Sequence, residues 1–166
     1  MEFYQQLGYL IFGSRLRRLS VYFIAEVNKV YQKEGIDFDA SWFPIFYILS
    51  KQDNIALVDI ASQLQTSHSA VSQLISSLDK KGYLELSRSD TDARRQLVRL
   101  STAGKDLLQQ IQSIWEAISK GMQELEANDP QIAGLLEGIT AMEGTFQRQS
   151  LSDRIRSHLN VSTPTL

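Results

Sequence analysis

Two groups of side chains in this sequence have the chemistry and spacing to grip a polyanion. The first is Ser67, His68, Ser69, Ser72, Gln73, Ser76 and Lys80, whose separations put short hydroxyls, an amide and a cation along one side of a helix. At the start of such a helix the free N–H groups and the positive dipole end suit a phosphate, and short side chains let the backbone come close. Gln73 carries the paired donor and acceptor that match an adenine edge. The second group is Arg88, Arg94 and Arg95, with Asp92, in a charged stretch between two apolar runs. Each group also has a plainer reading, as a solvated serine-rich face and as a loop that aids solubility. Asp90 and Asp92 would cancel much of the attraction of Arg94 and Arg95 unless Asp92 is occupied structurally. The elements that hold these residues decide between the readings.

Val71, Leu74, Ile75 and Leu78 repeat at three and four, so residues 67–81 read as a helix with Ser67 as its cap and Gly82 as its stop. Before it, Leu57, Ile60, Ala61 and Leu64 mark a shorter helix that Gln65-Thr66 interrupts. After it, Leu84 and Leu86 alternate with Glu85 and Ser87, and Leu97 to Leu100 form a second extended run. These two runs predict a hairpin with a long charged tip. Two short helices joined by a tight turn and followed by a hairpin make a winged helix-turn-helix. In that setting the serine face is a reading surface, not idle polarity.

Helical arms flank the unit. Phe12, Leu16, Leu19, Phe23, Val27 and Val30 predict one helix over residues 5–33, closed by Gly35. A second helix over 41–50 takes Ser41 as its cap and Pro44 as its third residue. Ser101 caps a long helix with the stripe Leu108, Ile111, Trp115, Ile118, Met122 and Leu125. Asp129-Pro130 starts another, with Ile132, Leu135, Ile139, Met142 and Phe146 on one side. Leu151, Ile155 and Leu159 mark a last piece before a frayed tail at 161–166. These arms carry more apolar stripe than a small central unit can bury, which predicts pairing with a second copy.

The 166 residues include no cysteine, which excludes disulfides, thiolate metal sites and thiol redox sensing. Net charge is −2, against a generic polyanion binder, yet residues 51–105 hold eight basic and six acidic groups and are the only net-positive third. Hydrophobic residues at 43% and charged residues at 22% fit a soluble globular chain. No apolar stretch reaches the ~20 residues that span a bilayer, and the N-terminus lacks the pattern of a signal peptide. A cytoplasmic location is expected, with no membrane partner. His68 and His158 stand far apart in sequence and make a poor metal pair. No phosphate-binding loop, dinucleotide fingerprint, zinc-protease motif or nucleophile elbow occurs, so neither an enzyme nor a cofactor is expected.

The order of elements, and above all two stretches, resemble the multiple antibiotic resistance regulator (MarR) family of bacterial transcription factors. One runs from Val58 through Leu64 and on from Ser67 to Leu84. The other is Asp90-Thr91-Asp92-Ala93-Arg94-Arg95 followed by Leu97-Val98-Arg99-Leu100-Ser101-Thr102-Ala103-Gly104. The likeness is densest over residues 54–108. It implies a mainly α protein (an α+β winged helix) with residues 1–36 and 105–160 as dimerisation helices around a DNA-binding region at 37–104. It implies a homodimer on a pseudo-palindromic duplex, with helix 67–81 in the major groove and wing 89–95 in the minor groove. Arg94 would enter that groove, held by Asp92, while Arg88, Lys80 and Arg99 would touch phosphates. It further implies release by a small aromatic effector in a crevice lined by Arg15, Arg18, Tyr22, Trp42, Phe43 and Phe46, although aromatics at helical spacing also fit an ordinary core. The alternative is a winged-helix module that binds protein and not DNA. Two positions depart from the family pattern. Gln65 stands where a glycine is usual in the turn, and Ser101 replaces the usual threonine.

Overall fold

The computed structural model describes residues 2–88, 92 and 95–161. Two compact units divide the chain, Met1–Ile118 and Ser119–Leu166. The first begins with α1 (Glu2–Gln6), a 3-10 turn at Gly8–Ile11 and α2 (Phe12–Lys33). The periodicity predicted one helix here, but Gly8 takes φ +51°, a conformation that cannot continue a right-handed helix, so the chain restarts at Phe12. Gly35, at φ +70°, closes α2 as expected.

A 3-10 turn at Ala40–Trp42 leads into α3 (Phe43–Lys51). The expected cap at Ser41 is corrected. Asp39, in extended backbone, caps the 3-10 turn, its carboxylate accepting from Ser41 N–H at 2.8 Å, and α3 itself follows Trp42 with no side-chain cap. Asn28 of α2 fixes this corner by accepting from Ala40 N–H at 2.7 Å and donating to Asp39 at 3.3 Å. The carboxylate wins because it serves two partners at once, and the helix proper then starts late enough to put Pro44 in its first turn.

The central module follows: β1 (Ile55–Ala56), α4 (Leu57–Gln63), α5 (His68–Lys80), β2 (Leu84–Arg88) and β3 (Gln96–Leu100). The strands form an antiparallel sheet in the order β1-β3-β2, with Ile55 opposite Val98 and Leu84 opposite Leu100. A two-residue strand has no periodicity to read, so β1 escaped the sequence. Ser101 joins sheet to helix. Its hydroxyl donates to the Gly82 carbonyl at 2.6 Å and accepts from Gly104 N–H at 3.0 Å, capping α6 (Thr102–Asn128) as predicted.

The core of this unit is one cluster in which Tyr31, Ile45, Phe46, Ile60, Ile75, Leu78, Val98 and Ile111 are sealed from solvent. Each such side chain contributes about 1.5–3 kcal/mol of burial, so the cluster fixes the module's geometry. Leu16, Leu19, Tyr22 and Phe23 of α2 stay exposed on the single chain.

The second unit holds the end of α6, then α7 (Leu135–Arg148) and α8 (Leu151–Val161). The helix expected to start at Pro130 does not. Asp129 accepts from Gln131 N–H at 2.9 Å, but the chain makes a turn through Gly134 at φ +77°, and helix resumes only at Leu135. Leu135, Ile139, Phe146, Leu151, Ile155 and Leu159 are exposed on this unit.

Candidate nucleic-acid interface

The turn between α4 and α5 is built without glycine. Gln65, standing where the family pattern usually has glycine, takes φ +49°, a left-handed conformation. The backbone tolerates this because Thr66 N–H bonds the Ala61 carbonyl at 3.2 Å and Leu64 N–H bonds Ile60 at 3.0 Å, closing the end of α4. Ser67 then sits in extended backbone, and its hydroxyl accepts from Ala70 N–H at 3.2 Å. That cap fixes the rotation of α5. Val71, Ile75 and Leu78 turn into the core, so His68, Ser69, Gln73, Ser76 and Lys80 come out on the surface, with Ser72 half-buried.

On that face Ser72, Gln73, Ser76, Ser77 and Lys80 line a concavity of about 440 Å³. Ser77 was missed from sequence. Its only signal was its position one turn beyond Gln73, which a run of serines obscures. An array of neutral donors and acceptors with one cation suits a base edge flanked by a phosphate.

The hairpin stands beside this helix, its strands in register from Leu84–Leu100 out to Arg88–Gln96. Arg88 is exposed at the far end of β2. Arg99 is paired across the strands with Glu85, at 2.8 Å from its Nε. Arg95 is engaged as well. Its Nη2 reaches both carboxylate oxygens of Asp59 in the first turn of α4, at 2.9 and 2.7 Å. Asp92 is exposed, and its carbonyl accepts from Arg95 N–H at 2.8 Å. Arg94, the wing residue expected to matter most, lies outside the described residues, as do 89–91 and 93. At the other end of α5, Lys81 bonds Asp37 at 2.9 Å and lies 5.0 Å over the Trp42 ring. That bond to Asp37 holds the Lys81 ammonium above its usual pKa.

The six residues expected to line an effector crevice differ in burial and in neighbours. Trp42 and Phe46 are core, both edge-on to Phe38 at 5.5 and 5.1 Å. Phe43 is exposed beside Tyr47 at 5.5 Å and meets the half-buried Trp115 at 4.8 Å. Arg18 lies 4.5 Å over Tyr4, and Arg15 and Tyr22 are exposed on α2. Among the described residues no group of three His, Asp or Glu side chains could hold a metal. None of their helices is long and apolar enough to cross a membrane.

The fold and this face together define a winged helix-turn-helix protein. The sequence model of the MarR family matches residues 36–95. Solved structures agree over a longer span. MepR of Staphylococcus aureus, in complex with DNA, aligns with a TM-score of 0.66 at 22% identity, over 79% of this chain and 97% of its own. CouR, bound to a 23-mer DNA duplex, gives 0.67 at 18%, over 82% and 96%. PcaV of Streptomyces coelicolor, with its natural ligand, gives 0.63 at 17%, over 80% and 91%. At these identities the likeness establishes the fold. No curated protein matches the chain by sequence.

Proposed function

We propose that this chain is a homodimeric transcription regulator that reads duplex DNA with α5 and its wing. The observation that carries the reading is the rotation of α5. The Ser67 cap and the buried Val71, Ile75 and Leu78 leave Ser69, Gln73, Ser76 and Lys80 as one exposed polar face, inside the segment that the MarR family model matches. The exposed apolar side chains of α2 and, separately, of α7 and α8 support a dimer, since a lone chain leaves them in water. A two-fold pair would set its two reading helices roughly 34–36 Å apart, one turn of DNA. The DNA complexes of MepR and CouR support the nucleic-acid partner. Release by a small aromatic ligand belongs to the same reading, supported by the ligand complex of PcaV and by the exposed Phe43 and Tyr47 beside the half-buried Trp115.

The test is fluorescence anisotropy of a duplex selected from a random pool, titrated at several salt concentrations beside a scrambled duplex and the Arg94→Ala variant. Selective binding that weakens steeply with salt is expected, since phosphate contacts release counterions. Arg94→Ala should cost about 1–3 kcal/mol of binding while the dimer persists. Binding indifferent to sequence and to Arg94 would refute the reading.

A further inference from the structure

The ion pair between Asp59 and Arg95 joins two parts of the module that sequence reading treats separately. Asp59 is on the first helix of the helix-turn-helix, and Arg95 ends the wing loop, 36 residues later. The sheet brings them together. Ala56 pairs with Leu97 in antiparallel register, so continuing past Ala56 carries the chain toward residue 95 just as it enters α4. Arg95 N–H also bonds the Asp92 carbonyl, so the guanidinium is anchored by a turn on one side and by a strand on the other. One nitrogen then reaches both oxygens of the carboxylate at 2.9 and 2.7 Å.

The geometry points to Asp59 and Arg95 as the positioning pair of the wing, a clamp that sets the hairpin against the helix-turn-helix and keeps the charge of Arg95 from the DNA phosphates. This inference rests on the DNA-reading function proposed above. Arg95 was grouped with Arg94 among the DNA-binding residues of the wing from its charge and position alone. Its carboxylate partner makes it an internal tie, and wing attraction then falls to its neighbours. Both side chains are about half exposed, at 45% and 50%, so the clamp is a modest bias on the position of the wing and not a stability element of the fold.

The two roles predict opposite signs for one substitution. If Arg95 is a clamp, Asp59→Asn frees the wing and weakens binding to the selected duplex by roughly two- to five-fold, the scale of an exposed pair. Arg95→Gln should do the same, the double variant should be no worse than either, and the exchange Asp59→Arg with Arg95→Asp should recover most of the affinity. If Arg95 touches phosphate, Asp59→Asn removes a neighbouring anion and tightens binding, and Arg95→Gln lowers the salt slope by about one. A second readout needs no DNA. Trypsin cleavage at the wing arginines of the full-length protein should accelerate in Asp59→Asn while cleavage elsewhere is unchanged. Tighter DNA binding by Asp59→Asn, or an unchanged wing cleavage rate, overturns the clamp. Failure to select any duplex would overturn the DNA reading instead, and the proteolysis result would still decide whether the pair holds the wing.

Discussion

Gly104 should tolerate no side chain. An ideal Cβ built there would stand 2.1 Å from the Tyr83 carbonyl oxygen, 3.1 Å from its carbon and 3.3 Å from a Leu100 methyl. The carbonyl cannot swing aside, because Ser101 N–H bonds it at 3.0 Å and the Ser101 hydroxyl holds the adjacent Gly82 carbonyl at 2.6 Å. In Gly104→Ala the start of α6 must therefore retreat from the strand by about 1 Å to reach ordinary contact. Overpacking of this kind costs about 1–3 kcal/mol, and stretching the two Ser101 bonds adds about 1 kcal/mol each. Against this stands the helix preference of alanine over glycine, about 0.5–1 kcal/mol. The net expectation is a loss of about 2–4 kcal/mol. Urea denaturation at one fixed protein concentration would measure it, the concentration being fixed because a dimer's stability depends on it. Alanine that leaves stability unchanged, or raises it by its helix preference, would refute the close approach of α6 to the Gly82-Tyr83 turn.

Gln65→Gly should stabilise the protein, by up to about 1 kcal/mol in the same urea assay. It relieves the left-handed backbone at φ +49° (roughly 1–2 kcal/mol) and gives back part of that as chain entropy (about 0.5–1 kcal/mol). A loss of stability would mean that the glutamine side chain matters more than its backbone. Tyr31 is sealed in the core, and burial raises its phenol pKa, partly offset by the hydrogen bond donated from Trp115 at 3.1 Å. An acid whose folded pKa is raised contributes stability that is present below its unfolded pKa and lost above it. Thermal stability should therefore fall as pH rises past about 10, and fall less in Tyr31→Phe. Parallel curves for the two proteins would show that Tyr31 does not titrate on unfolding.

Much of the module was legible because local signals suffice for it. The Ser67 cap, the buried spacing of Val71, Ile75 and Leu78, the stop at Gly82 and the alternation around Leu84 and Leu86 are short-range chemistry, and the structure follows them. The turn at Gln65 was marked only by the family pattern, which usually has a glycine there, and its left-handed backbone is what the structure adds. The errors fall where one residue had rivals. Ser41 lost the cap to Asp39 because Asn28, some dozen positions earlier, also binds that carboxylate. Gly8 and Gly134 broke helices that hydrophobic spacing had drawn through them, since periodicity is blind to the sign of φ.

Local signals in the sequence are therefore enough for the two helices and the hairpin of the module, though not for β1, and for the polar character of the face on α5. Tertiary structure alone decided which charges are available to that face. Arg95 and Arg99 look alike in sequence, yet one is tied to Asp59 and the other to Glu85, and those partners meet them only through the β1-β3-β2 pairing. Trp42 and Phe46 are likewise buried against Phe38, a neighbour that only the folded chain supplies. A charge or a ring carries its type in the sequence, but its partner comes from residues far along the chain, and only folding brings them within reach.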